Sequence, residues 1–244
     1  MPHQVSPPLA PVMLAKSSVP SAVPPTQEEI SSFLDTIFTA QTSQASLDAA
    51  YALTNLLINS VGFRGLRGYG ILNDIKRGAA DKKDGAKRES AMILLGALFE
   101  KSPPAQPISE VTFLLQDGGI IAPALDALAD KGAVVQESAQ YALDALFSNL
   151  KPESMVVGLL PALSQYLSKR TGKWQGTVGA YKLIGRMADK AKMGLGSKEE
   201  EKLKDVLRES MGNRLAALIP IVESGMHDLK AEVHIAKVHC RFLY

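Results

Sequence analysis

The chain is poor in cross-links, aromatic mass and net charge. Cys240 is the only cysteine in 244 residues, so no internal disulfide can form and a reducing compartment is expected. Aromatics make up only 6%, with a single tryptophan. Ala and Leu are abundant instead, which favours helices packed through small and branched aliphatic side chains. The formal net charge is +2, too small to imply nucleic-acid binding by itself. No run of about 18 apolar residues occurs, so no membrane span and no membrane partner are expected. The apolar stretch 9–15 is short and interrupted by Pro11, unlike a secretory signal, and the first arginine is Arg64, unlike a mitochondrial presequence. The expected location is cytoplasmic.

Catalytic vocabulary is equally thin. No nucleophile elbow, H-E-x-x-H or paired C-x-x-C is present. Gly194-Leu-Gly196-Ser-Lys198 holds Ser and Lys in the wrong order for a phosphate loop, and Gly172-Lys173-Trp174 lacks the hydroxyl that would hold magnesium. His234 and His239 lie five positions apart, roughly 140° around a helix. With His227 and Cys240 they do not converge on one face. No catalytic residue, metal site or cofactor site is predicted, and no enzyme activity in this chain.

What is present is helix-forming pattern. Residues 1–25 hold seven of the fourteen prolines and almost no charge, so they are expected to be a disordered tail. Thr26 and Glu29 form a capping box at a helix start. Ile30, Phe33, Leu34, Ile37 and Phe38 then mark one apolar helical face, and a second helix is expected over about 46–60. Four glycines within residues 62–70 are expected to break any helix and make a turn.

From there the chain reads as repeated hairpins. Helices are expected over 70–80 and 86–99, the latter with Ala91, Leu94, Leu95 and Leu98 inward. A short helical or loop stretch lies at 108–116. Helices follow over 120–129 and 134–150, with Ala139, Ala142, Leu143, Leu146 and Phe147 inward on the second. The next pair spans 155–167 and 174–191, with Val178, Tyr181, Ile184 and Ala188 inward. After an insertion at 192–213, containing a solvent-facing helix at 198–209, come helices over 214–224 and from 231 onward. The phrases Ile121-Ala-Pro123-Ala-Leu125, Leu160-Pro161-Ala-Leu163 and Ile219-Pro220-Ile-Val222 place a proline in three first helices. A proline there bends the helix. A bent first helix, a short polar turn and a straighter second helix, repeated every ~40 residues, describe a HEAT or armadillo-like α-solenoid. The expected division is a tail at 1–25 and an all-α solenoid at 26–244. Asp81 and Lys87 fit the usual Asp-to-base spacing of HEAT turns. Asp130 and Asp228 sit at matching positions, with Gln136 and His234 in place of the base.

Stacked repeats leave ridges of turns exposed, and such surfaces bind macromolecules. Two basic clusters occupy them. Arg64, Arg67, Lys76, Arg77, Lys82, Lys83, Lys87 and Arg88 stand against three acids in twenty-five positions. Lys169, Arg170 and Lys173 crowd one inter-helix turn. All eleven are candidate phosphate contacts.

One set of motifs is more specific. Gly158-Leu-Leu-Pro-Ala-Leu163, Gly172-Lys-Trp-Gln175, Leu218-Ile-Pro-Ile-Val222 and Asp228-Leu-Lys-Ala-Glu-Val233 follow one another in that order. This series resembles the N-terminal HEAT region of fungal translation elongation factor 3, best over about 155–235, with the segment 193–212 departing from it. The related fungal ABC-F paralogue, of the termination, recycling and mRNA export type, fits about equally well. The activator of the amino-acid-starvation kinase carries a similar region. The resemblance implies contact with the small ribosomal subunit, rRNA and proteins, and no DNA partner. It also implies ATP as cofactor of two ABC cassettes in the full-length family. Those cassettes are not in this sequence, and its last residues stop inside a hairpin, so a fragment or a truncated gene model is expected. The rival expectation is a protein–protein scaffold of the adaptor, transport-receptor or TOG type.

Overall fold

A computed structural model of the chain describes residues 23–101, 112–117, 119–151, 154–169 and 173–193. Every regular element among the described residues is helical. The first hairpin is α1 (Gln27–Thr39) with α2 (Ser43–Ser60). The second is α4 (Ile71–Ala79) with α5 (Gly85–Glu100), reached through a short α3 (Phe63–Gly68). The third is α6 (Ile121–Ala127) with α7 (Ala133–Asn149). The fourth is α8 (Leu160–Ser168) with α9 (Trp174–Met193). The proline tail to residue 22, Arg170, the insertion and the histidine- and cysteine-bearing end lie outside the described residues.

The capping box forms: the Thr26 amide donates to the Glu29 carboxylate at 2.8 Å, and the Glu29 amide to the Thr26 hydroxyl at 3.2 Å. Pro25 is buried, and its carbonyl accepts the Tyr69 hydroxyl at 2.6 Å. The fold therefore grips the chain one residue before the capping threonine. α2 starts earlier than expected because Thr42 caps it, accepting the Ala45 amide at 3.2 Å.

The glycine-rich stretch 62–70 corrects a sequence expectation. It is not a mere turn, since α3 forms inside it. Gly62 and Gly70 supply the breaks at either end, with φ of 65° and 74°, a region open to glycine at little cost. Gly65 allows close approach instead: a Cβ there would lie 2.2 Å from Val61 Cγ2.

Pro161 also acts differently from the expected bend, while Pro220 lies outside the described residues. The stretch read as one helix over 155–167 starts as a π-helical turn (Met155–Leu159), in which the Leu160 amide reaches back to the Met155 carbonyl. Pro161 then stands in the first turn of α8, where its missing N–H is tolerated. The Val157 carbonyl, four residues before Pro161, accepts the Gln116 side-chain amide at 2.8 Å. A side chain from the preceding segment thus supplies the donor that proline lacks.

First helices pack on first helices, α4 on α6 and α6 on α8, while second helices pack α2 on α5 and α5 on α7. Each hairpin joins the two layers. The core runs between them, from Ile30 through Leu53, Ile75, Leu94 and Leu125 to Leu163 and Ile184. α5 is its centre. It touches α1, α2, α4 and α7, and every residue from Ser90 to Phe99 is buried. α5 and α7 meet at Gly96, where a Cβ would lie 2.2 Å from the Tyr141 ring. Beside that contact the Tyr51 and Tyr141 hydroxyls both donate to Glu100, at 2.6 and 2.5 Å.

Candidate functional site: a lysine cleft on the turn edge

The turns between first and second helices form one edge of the stack, and side-chain bonds tie three of them together. The Asp81 carboxylate accepts the Lys83 and Asp84 amides at 2.8 and 2.9 Å. These amides, led by that of Asp84, hold its carboxyl below the usual range. Asp84 caps α5, accepting the Ala86 and Lys87 amides at 3.0 and 3.2 Å. The base that completes the pattern is Arg88, not Lys87 as the spacing predicted. Lys87 is exposed, whereas Arg88, one position further round α5, faces the next hairpin. Its Nη1 donates to the Asp81 carbonyl at 2.8 Å. Its Nε and Nη2 donate to the two Asp130 oxygens at 2.6 and 3.0 Å. That forked geometry suits a guanidinium and not an ammonium.

Asp130 repeats the role of Asp81 one hairpin later. It accepts the Gly132 amide at 2.9 Å, and Gln136, standing where a base was missing, donates to the Asp130 carbonyl at 2.6 Å. Lys173 closes the series by donating to the Ala129 carbonyl at 3.1 Å. The Arg88 guanidinium beside Asp130 holds its carboxyl below the usual carboxylate range. Protons therefore bind more readily to the unfolded chain than to the folded one. The stabilisation is present above the ordinary Asp pKa and is lost as pH falls below about 4. Asp130→Asn is expected to lower stability at pH 7 and to flatten the decline below about pH 4. Urea unfolding at stepped pH checks this; an acid limb as steep as in the parent chain would contradict it.

Under these turns lies a cleft of about 400 Å³, lined among others by Lys76, Lys82, Lys131 and Lys173. It unites the two basic clusters, which are separated by most of a hundred residues in sequence but adjoin on one ridge. Its acids are occupied: Asp81 by backbone amides, Asp130 by Arg88, and Asp126 by the Tyr166 hydroxyl at 2.7 Å. Among the described residues Lys76, Lys82 and Lys131 take part in no ion pair. Lys76 Nζ lies beside Gly119, 3.7 Å from where a Cβ would stand. The cleft therefore presents ammonium groups whose neighbouring carboxylates are already satisfied.

The remaining candidates are distributed unevenly. Lys83 and Lys87 are exposed beside the cleft, and Lys169 is exposed at the end of α8. Arg67 is exposed on α3, apart from the cleft lining. Arg77 points outward and pairs with Asp74 at 2.5 Å. Arg88 is committed to the ladder. The Arg64 side chain and Arg170 lie outside the described residues. Lys131 was missed by the sequence reading, although Asp130-Lys131 repeats Asp81-Lys82 and the matching aspartates were already aligned. No group of metal-ligating residues occurs among the described residues, and no helix there is long and apolar enough to cross a membrane.

Comparison with known proteins finds two relatives by sequence and a weak likeness to a solved structure. The mRNA export factor elf1 of Schizosaccharomyces pombe is 28% identical over 214 residues, covering 88% of this chain and 18% of that protein. Elongation factor 3 of Mycosarcoma maydis is 27% identical over 191 residues, covering 78% of this chain and 16% of that protein. The chain thus spans less than a fifth of the length of either curated relative. A designed armadillo repeat protein, solved in complex with a (KR)4 peptide, aligns at TM-score 0.38 and 13% identity, covering 88% of this chain and 99% of its own. The family model described as "EF3 N-terminal HEAT repeat" matches residues 46–199. The match begins in α2, far upstream of the 155–235 stretch on which the motif resemblance rested. The chain belongs to the elongation factor 3 N-terminal HEAT repeat family.

Proposed function

We propose that this chain is a ribosome-binding HEAT module of an elongation-factor-3-like translation factor of the ABC-F type, acting in the cytoplasm. The observation that carries this reading is the lysine cleft. Lys76, Lys82, Lys131 and Lys173 converge on one exposed edge, with the adjacent acids taken up internally. Phosphates of small-subunit rRNA suit such a surface, because binding releases their counterions. The module positions and does not catalyse; ATP hydrolysis belongs to ABC cassettes of a longer protein. Arg88 contributes by holding the ridge in register, while Lys83, Lys87 and Lys169 add charge at its margin.

Co-sedimentation with ribosomes across a salt series tests the reading. The triple variant Lys76→Glu/Lys82→Glu/Lys131→Glu is expected to bind more weakly. Its log-log salt slope should also be shallower by about 2 to 3 units, one lost phosphate contact per lysine. Unchanged binding and slope would exclude the cleft. Binding to other proteins with no affinity for ribosomes would favour a scaffold unrelated to translation.

A further inference from the structure

We propose that the cleft edge takes an unpaired RNA segment, with its phosphates on the lysines and a base stacked on Trp174. This rests on the RNA-binding reading above and names the form of RNA. Trp174 is 37% exposed and Val134 is 51% exposed. Among the described residues only Val23 joins them as a large exposed hydrophobic. Their placement is regular. Each stands in the first turn of a second helix, Val134 in α7 and Trp174 in α9. Each follows a cleft lysine closely, Lys131 before Val134 and Lys173 before Trp174. The Lys173 ammonium donates to the Ala129 carbonyl and so sits against the preceding turn, next in the chain to the indole.

In two successive turns an ammonium group thus precedes an exposed apolar side chain at the start of the next helix, an arrangement unlike the single apolar patch of a protein interface core. A nucleic-acid strand also sets charge beside apolar surface, with phosphates outside and bases inside. In duplex RNA the bases are stacked and shielded, and the grooves admit side chains poorly. An unpaired loop or bulge can turn a base onto an aromatic face while its backbone tracks a basic groove.

Trp174 is the chain's only tryptophan, so its fluorescence reports this site alone. The full chain is titrated with a single-stranded oligouridine and with an RNA duplex of equal length. The single strand is expected to quench the fluorescence, and the duplex to leave it nearly unchanged. Read by the fluorescence anisotropy of an end-labelled oligonucleotide, since the variant has no tryptophan, Trp174→Ala should weaken single-strand binding roughly 5- to 150-fold, the usual effect of losing one aromatic stack. Trp174→Phe should retain most of the affinity, and duplex binding should be the same in all three proteins. Equal quenching by duplex, or single-strand affinity unaltered in Trp174→Ala, would overturn the proposal. Ribosome binding lost in Trp174→Ala without any quenching by RNA would also overturn it, and would point to an acidic protein surface. If the lysine reversals abolish ribosome binding while Trp174→Ala changes nothing, the stacking fails and the ribosome reading stands. If neither set affects ribosome binding, the ribosome reading itself fails.

Discussion

Replacing Gly176 with alanine is expected to destabilise the fold by about 3 kcal/mol or more. An added methyl would lie 2.2 Å from the Tyr166 hydroxyl oxygen and 2.8 Å from the Leu125 carbonyl oxygen. The first could move only by leaving Asp126, to which it is bonded at 2.7 Å. The second is backbone in α6 and cannot swing away. Alanine is the better helix former by up to about 1 kcal/mol, and that gain is smaller than the steric and hydrogen-bond losses together. Urea unfolding followed by circular dichroism decides the sign. Stability equal to or above the parent would mean that α9 can slide off α6 without cost. Gly85→Ala is the control. Its nearest neighbour is the far end of Arg88, at 3.6 Å, so little change is expected there. The shift of α9 forced by Gly176→Ala would also move Lys173 and Trp174, so that variant should weaken the proposed RNA binding as well.

Met92→Ala and Leu94→Ala are each expected to cost about 2 to 5 kcal/mol, the range for truncating a fully buried aliphatic side chain. The two residues stand on opposite sides of α5, and both are fully buried. The inward set read from the sequence, Ala91, Leu94, Leu95 and Leu98, describes a helix with one buried side. On such a helix Met92 would be a surface residue, and its truncation would stay within about 0.5 kcal/mol. Unfolding midpoints at unchanged denaturant slope separate the two pictures. A negligible loss for Met92→Ala would mean that α5 is not wrapped by α1, α2, α4 and α7.

α5 shows why part of the fold was legible and part was not. The sequence Ser90-Ala-Met-Ile-Leu-Leu-Gly-Ala-Leu-Phe99 is apolar all round, and a helix of that kind is buried on every side. Its helical state could be read from composition, but periodicity could not select a face because there is none to select. Where an amphipathic period did exist, as in Ile30, Leu34 and Ile37, the buried residues were those expected. The four hairpins follow from the same periodicity, and the capping box at Thr26 needs only neighbours in the chain. The glycines of 62–70 were harder. Their number argues against a helix, but two of them carry the left-handed turns and leave the residues between them free to coil.

The site divides along the same line. That basic residues gather in turns was visible in the sequence, and so was the family, through motifs whose order survives without coordinates. The helical state, the hairpin rhythm and the absence of familiar catalytic motifs depend on local pattern, and local pattern is written in the chain. Only the stacked helices decided that Lys76, Lys82, Lys131 and Lys173 share one cleft and that Arg88 is spent on Asp130. They also placed Trp174 and Val134 on the same edge. Those relations join residues about one or two repeats apart, and no neighbour-to-neighbour pattern encodes the distance between them.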